Sequence, residues 1–178
     1  MKIIDLEKWA PHVGMFMLEF GAVESFTQKL LKELTSSAIY KQKKELPLKT
    51  KIKEIIKILE KSDNYQDLRI DLIQSYKHIE GLVQVRNTIA HSTVNLVFWE
   101  NIQPGQSPCD EAIYSDKKPN KAKTITLDEI KTYNAQLSAL VENLYHIDAI
   151  KRGRKISEDL EYLKMSGINF VGFSRLKD

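Results

Sequence analysis

Four stretches of this 178-residue chain repeat their apolar residues at the spacing of one helix face, and burying four such stripes requires a helical bundle. The first runs from about Val13 to Ala38 with Val13, Phe16, Met17, Phe20, Val23, Leu30, Leu31 and Leu34 on one side, and Pro11 suits its opening turn. A second follows Pro47, with Ile52, Ile55, Ile56 and Leu59 opposed by lysines. The third spans about Asp67 to Ala90 through Leu72, Ile73, Tyr76, Ile79, Leu82 and Val83. The fourth opens at TLDE, where Thr126 and Glu129 form a capping box, and carries Ile130, Tyr133, Leu137, Leu140, Val141, Leu144 and Ile147.

Helices three and four are separated by residues 94–126, in which VNLVFWE, EAIYS and AKTIT have strand composition and PGQSP breaks them. A small β-hairpin, or three short strands, is expected before the last long helix. SEDLEYLKM reads as a short fifth helix capped by Ser157, and the tail GINFVGFSRLKD as an extended segment that docks back. The expected fold is all-α: a bundle of four to five helices with a β-insertion. Residues 1–178 form one domain, with a core over about 12–150 and a C-terminal extension over 151–178.

A hydrophobic share of 42% and a charged share of 29% are those of a globular protein. No apolar run approaches a membrane span, and MKIIDLEKWAPH places acids where a signal peptide needs an apolar core, so a cytoplasmic location is expected. The single cysteine, Cys109, excludes an internal disulfide and a cysteine-based zinc site. Net charge is only +3, but basic residues cluster in 41–53, 117–123 and 151–155. These are either solvated faces or, if they converge, a surface for RNA, with Lys117, Lys118, Lys121, Lys123, Arg152 and Arg154 as candidate contacts.

The segment GLVQVRNTIAHSTVN, residues 81–95, sets Arg86, Asn87 and His91 where the third helix should pack. Arg86 and His91 stand about 140° apart on an ideal helix and share no face, whereas Asn87 and His91, at i and i+4, do. Two readings stay open on the residues alone. Arg86 pairs with an acid such as Glu80 or Asp71 while His91 caps the last carbonyls. Alternatively, the helix end meets a second copy across a two-fold axis, so that two arginines and two histidines line one phosphate-binding cleft. Glu24 stands close to the stripe of the first helix, and Phe98 and Trp99 either stack a base or pack the insertion. His12 and His146 have no spaced partner, His78 lies on a different face from the motif and reads as a surface residue, and no metal-ligand spacing, P-loop, dinucleotide fingerprint or GxSxG is present.

VRNTIAHS resembles the signature of the HEPN superfamily: an arginine, a polar residue that is usually Asn, Asp or His, and a histidine four to six residues beyond the arginine. The place of the motif, at the end of the third long helix with another long helix following, is similar too. FGAVESFTQKLLKEL resembles the opening helix of bacterial stand-alone members, and the likeness spans about 12–150. It implies a HEPN-like bundle, homodimeric through the Arg86–His91 helix end, acting as a metal-independent endoribonuclease without cofactors in toxin–antitoxin or other defence systems. By that resemblance His91 is the general acid or base, Arg86 holds the phosphate, and Asn87 orients the site. Glu24 is a supporting acid, as in relatives where acids approach the cleft. The implied products are a 2′,3′-cyclic phosphate and a 5′-hydroxyl, and the implied partners are RNA and an antitoxin or activator protein. HEPN domains that bind nucleotide, RNA or a protein without cutting are the alternative.

Overall fold

The computed structural model describes residues 4–61, 68–98, 109–115 and 123–165, with 155–165 as backbone alone. Its elements are α1 (Leu6–Leu34), α2 (Ser37–Lys43), α3 (Leu48–Lys61), α4 (Arg69–Ala90), β1 (Thr93–Phe98), β2 (Cys109–Ser115), β3 (Lys123–Thr126) and α5 (Leu127–Met165). The described residues are mostly helical with one small antiparallel sheet, and no helix among them is long and apolar enough to cross a membrane.

The core is built from the four stripes. Phe16, Phe20, Val23, Leu30 and Leu31 of α1 meet Ile52, Ile55 and Leu59 of α3, Leu72, Tyr76 and Ile79 of α4, and Ile130, Leu137 and Leu144 of α5 in one buried cluster. Two polar groups inside it satisfy one another: the Thr27 hydroxyl donates to the Val23 carbonyl at 2.7 Å and accepts from the Tyr76 hydroxyl at 3.3 Å.

α1 and α5 run parallel. The Asn134 amide donates to the His12 carbonyl at 3.0 Å, Ser138 donates to Glu19, Lys29 pairs with Asp148 at 2.5 Å, and Lys151 pairs with Glu33 at 2.6 Å. Burial pushes the Asp148 carboxyl up, but bonds from Lys29 and Arg152 prevail and hold it below the usual range. α4 runs the opposite way, since the Asn143 amide donates to Ser75 at 2.8 Å while Leu140 lies near Leu82.

Three expected boundaries move. α1 begins at Leu6 rather than near Val13, because Asp5 caps it, accepting from the Glu7 N–H at 3.2 Å, and Trp9 is fully buried. Pro11 therefore stands inside the helix and forfeits one backbone bond. α1 also stops at Leu34, where Thr35 turns extended and Ser36 caps the separate α2. The last helix passes Gly153 and Ser157 without a break, so no separate fifth helix forms at Ser157. No proline interrupts it, and one helical glycine costs only about 1 kcal/mol, less than abandoning a turn of backbone bonds.

The insertion is a three-stranded sheet of order β1-β2-β3 rather than a lone hairpin, with Val94 opposite Ile113 and Ile113 opposite Ile125. Ala112, Ile113 and Ile125 are buried. The Thr126–Glu129 capping box is present: the Glu129 N–H donates to the Thr126 hydroxyl at 3.3 Å and the Thr126 N–H to the Glu129 carboxylate at 2.7 Å. The tail GINFVGFSRLKD lies outside the described residues.

Glu111 of β2 ties this sheet to the start of α1. Its carboxylate accepts from the Asp5 N–H at 2.7 Å and the Trp9 indole N–H at 2.9 Å, and pairs with Lys8 at 2.8 Å. The bond from Lys8 first, then those from Asp5 and Trp9, lower its pKa from 4.5 to about 2. A carboxyl depressed in the folded state contributes stability above its unfolded value, and that contribution is lost as pH falls through the folded one. The thermal midpoint should therefore fall between pH 4.5 and about 2 in the native chain, and less steeply in Glu111→Gln. At pH 7, Glu111→Ala should cost about 1–3 kcal/mol by chemical denaturation, because it strands the buried indole donor.

Candidate functional site

α4 owes its length to seven buried residues, the last of which, Ile89, keeps the helix packed to its C-terminal turn. Arg86 comes half-buried on that turn. Its Nε is buried without a hydrogen-bond partner, Nη1 donates to the Asn87 carboxamide oxygen at 3.2 Å, and Nη2 approaches a Glu24 carboxylate oxygen on α1 at 3.4 Å. The last distance is at the long limit of a hydrogen bond, so the guanidinium is loosely held and keeps unused donors.

The open side of Arg86 faces a cleft of about 530 Å³ bounded by Glu24, Pro47, Leu48, Lys49, Gln84 and Asn87. Arg86 and Lys49 line the cleft with the carboxylate of Glu24, and both cations are held by their acids only at long range, so the cleft can admit an anion with acceptor oxygens. Glu80, offered by the sequence as the partner of Arg86, instead faces Lys49 and Lys53 at 3.9 and 3.7 Å. Asp71 is in the first turn of α4, at the other end of the helix.

His91 is the C-cap of α4, at φ −122° and ψ 13°, its own N–H directed to the Thr88 carbonyl at 3.4 Å. Its side chain is exposed and is not part of the cleft wall. One chain thus brings together Arg86, Asn87 and Glu24, while His91 stands at the helix end beside them. The five-residue spacing explains this: the helix ends before it can turn His91 onto the face of Arg86.

Of the basic clusters, that of 41–53 reaches the cleft, through Lys49, a residue its lysine-rich helix face did not single out. Lys117, Lys118, Lys121 and Trp99 lie outside the described residues, as do the side chains of Lys123 and Phe98. Arg152 pairs with Asp148 next to the far end of α1, and Arg154 is exposed two residues further on, so neither joins the Arg86 cleft. His78 borders a second cleft, of about 650 Å³, between α4 and α5. His146 is exposed and His12 half-buried. No group of three His, Cys, Asp or Glu side chains among the described residues could hold a metal ion.

Comparison with protein-family models, curated proteins and solved structures gives no match.

The loose Glu24–Arg86 pair has a measurable consequence. Glu24→Gln should cost less than about 1 kcal/mol of stability, because the pair is half-exposed. Inorganic phosphate should raise the melting temperature of the native chain, more so in Glu24→Gln, and not in Arg86→Ala. Equal shifts in all three proteins would place phosphate elsewhere.

Proposed function

We propose that this chain is a metal-independent endoribonuclease of the HEPN type, homodimeric through the Arg86–His91 helix end, in a bacterial toxin or anti-phage defence role. The supporting observation is the half-buried Arg86, its donors unsaturated over an open cleft, at a helix end whose cap is an exposed histidine.

In this reading an RNA phosphate enters the cleft and takes the place of Glu24 on Arg86. The guanidinium neutralises charge that builds on the phosphoryl oxygens in the transition state. An imidazole takes the proton of the 2′-hydroxyl, or gives one to the departing 5′-oxygen, leaving a 2′,3′-cyclic phosphate. Within one chain His91 stands outside the cleft of Arg86, so the second copy completes the site by bringing its histidine across. Asn87 steadies Arg86 through its carboxamide oxygen. An antitoxin or activator protein would act on this composite site.

A second reading is a HEPN domain that binds nucleotide or RNA without cutting it. It is favoured by the ion pair that already engages Arg86 and by the position of His91 beyond the cleft.

The two are separated by incubating purified protein with mixed RNA in excess EDTA beside His91→Ala. The ribonuclease reading expects cyclic-phosphate ends from the native chain and a rate lower by about 100-fold or more in the variant. RNA bound but uncut by both proteins, with binding lost in Arg86→Ala, selects the second reading.

A further inference from the structure

α1 is apolar on the side away from the core as well as the side towards it. Between Ala10 and Phe26 its only titratable residues are His12, Glu19 and Glu24, the first two on the α5 side and the third against Arg86. The solvent side carries Pro11, Gly14, Met15, Leu18 and Gly21, with the half-buried Ala22 beside them and one polar residue, Ser25. Leu18 is 75% exposed and Met15 52%. A helix apolar all round is one buried on both sides. The glycines add a second sign. A Cβ at Gly14 or Gly21 would meet nothing within 4 Å, so the packing of one chain has no use for glycine there. Each nevertheless costs the helix about 0.5–1 kcal/mol relative to alanine.

We infer that this face docks on the same face of a second copy, with the two α1 helices antiparallel and the two-fold axis beside Leu18. The small residues of the face argue for a second copy as its occupant, and the charges at the ends of the face argue for its direction. An axis beside Leu18 sets Met15 over the second copy's Ala22 and Gly14 against its Gly21, so the projecting side chain meets a small one and the two backbones can approach closely. Charges at the ends agree. Glu7 lies eleven positions before Leu18 and Lys29 eleven after it, each within about 20° of the direction Leu18 faces. Antiparallel copies bring Glu7 against Lys29 twice, whereas parallel copies would set Glu7 on Glu7 and Lys29 on Lys29. Lys29 bonds Asp148 within its own chain yet remains 40% exposed, with ammonium donors to spare.

The contact also bears on the Arg86 cleft. Arg86 touches α1 at Glu24, six positions beyond Leu18 and about 120° around the helix. A two-fold axis perpendicular to the helix pair therefore carries both clefts to the same side of the dimer. The inference stands on α1 and does not require the chain to cut RNA.

Sedimentation of the full chain should give twice the 20.6 kDa chain mass. Leu18→Asp, at an exposed position, should weaken the dimer by at least about 30-fold with an unchanged circular-dichroism spectrum. Gly21→Leu should weaken it too, although it adds apolar surface. Stronger association in that variant would mean a merely adhesive face and would overturn the proposed fit. In a Cys109→Ser background, Leu18→Cys should oxidise to a covalent dimer while Leu6→Cys, also exposed, should not. A monomeric native chain, a dimer indifferent to Leu18→Asp, or crosslinking at Leu6 as readily as at Leu18 overturns the proposal. A monomeric Leu18→Asp that still cuts RNA would leave the α1 dimer standing and remove the two-chain site from the ribonuclease reading.

Discussion

Two helices that run parallel cannot be consecutive, and the parallel packing of α1 on α5 sets the task of everything between them. Bonds from His12–Asn134 at one end to Glu33–Lys151 at the other hold the pair in register along most of α1. The chain must come back to the starting end before α5 can begin. α4 makes that return, antiparallel to α5, and the small sheet turns the corner. Glu111 then fastens the corner to the first turn of α1 through Asp5, Lys8 and Trp9. A carboxylate with three donors on one short strand thus ties the corner that precedes the last helix to the start of the first.

The same arrangement positions the cleft. α4 ends where it does because its final turn is packed by Ile89, and Arg86 is thereby held against α1 at Glu24. The α2–α3 junction closes the remaining side with Pro47, Leu48 and Lys49. The guanidinium is therefore supported by three separate helices and its surroundings while its charge is only loosely matched. Such an arrangement is costly for stability alone and useful for an anionic ligand.

What could be read from the sequence was local. The four stripes, the three strand segments and the Thr126–Glu129 cap all depend on residues within a few positions of one another, and each is in the structure. The readings that moved depended on distant partners. Pro11 looked like the start of a helix because nothing nearby announces that Glu111 anchors Trp9, 102 residues away. Ser157 looked like a cap because its acidic successors fit that role, whereas the continuing helix needs no such signal. At the site, Glu24 was visible as an acid near an apolar stripe, but its meeting with Arg86 spans 62 residues, and Lys49 was one lysine among many. Spacing alone did foretell that Arg86 and His91 would not share a helix face.

The parallel pairing of α1 and α5 also sets the order of events during synthesis. Lys29 and Asp148 are separated by 119 residues, so at about 5–20 residues per second a ribosome needs about 6–24 s after making α1 to supply its lasting neighbour. Throughout that interval the nascent chain carries a helix that is apolar on both sides. α3 and α4 can cover part of the inner stripe before α5 arrives, and the outer one has no cover in the chain's own described fold.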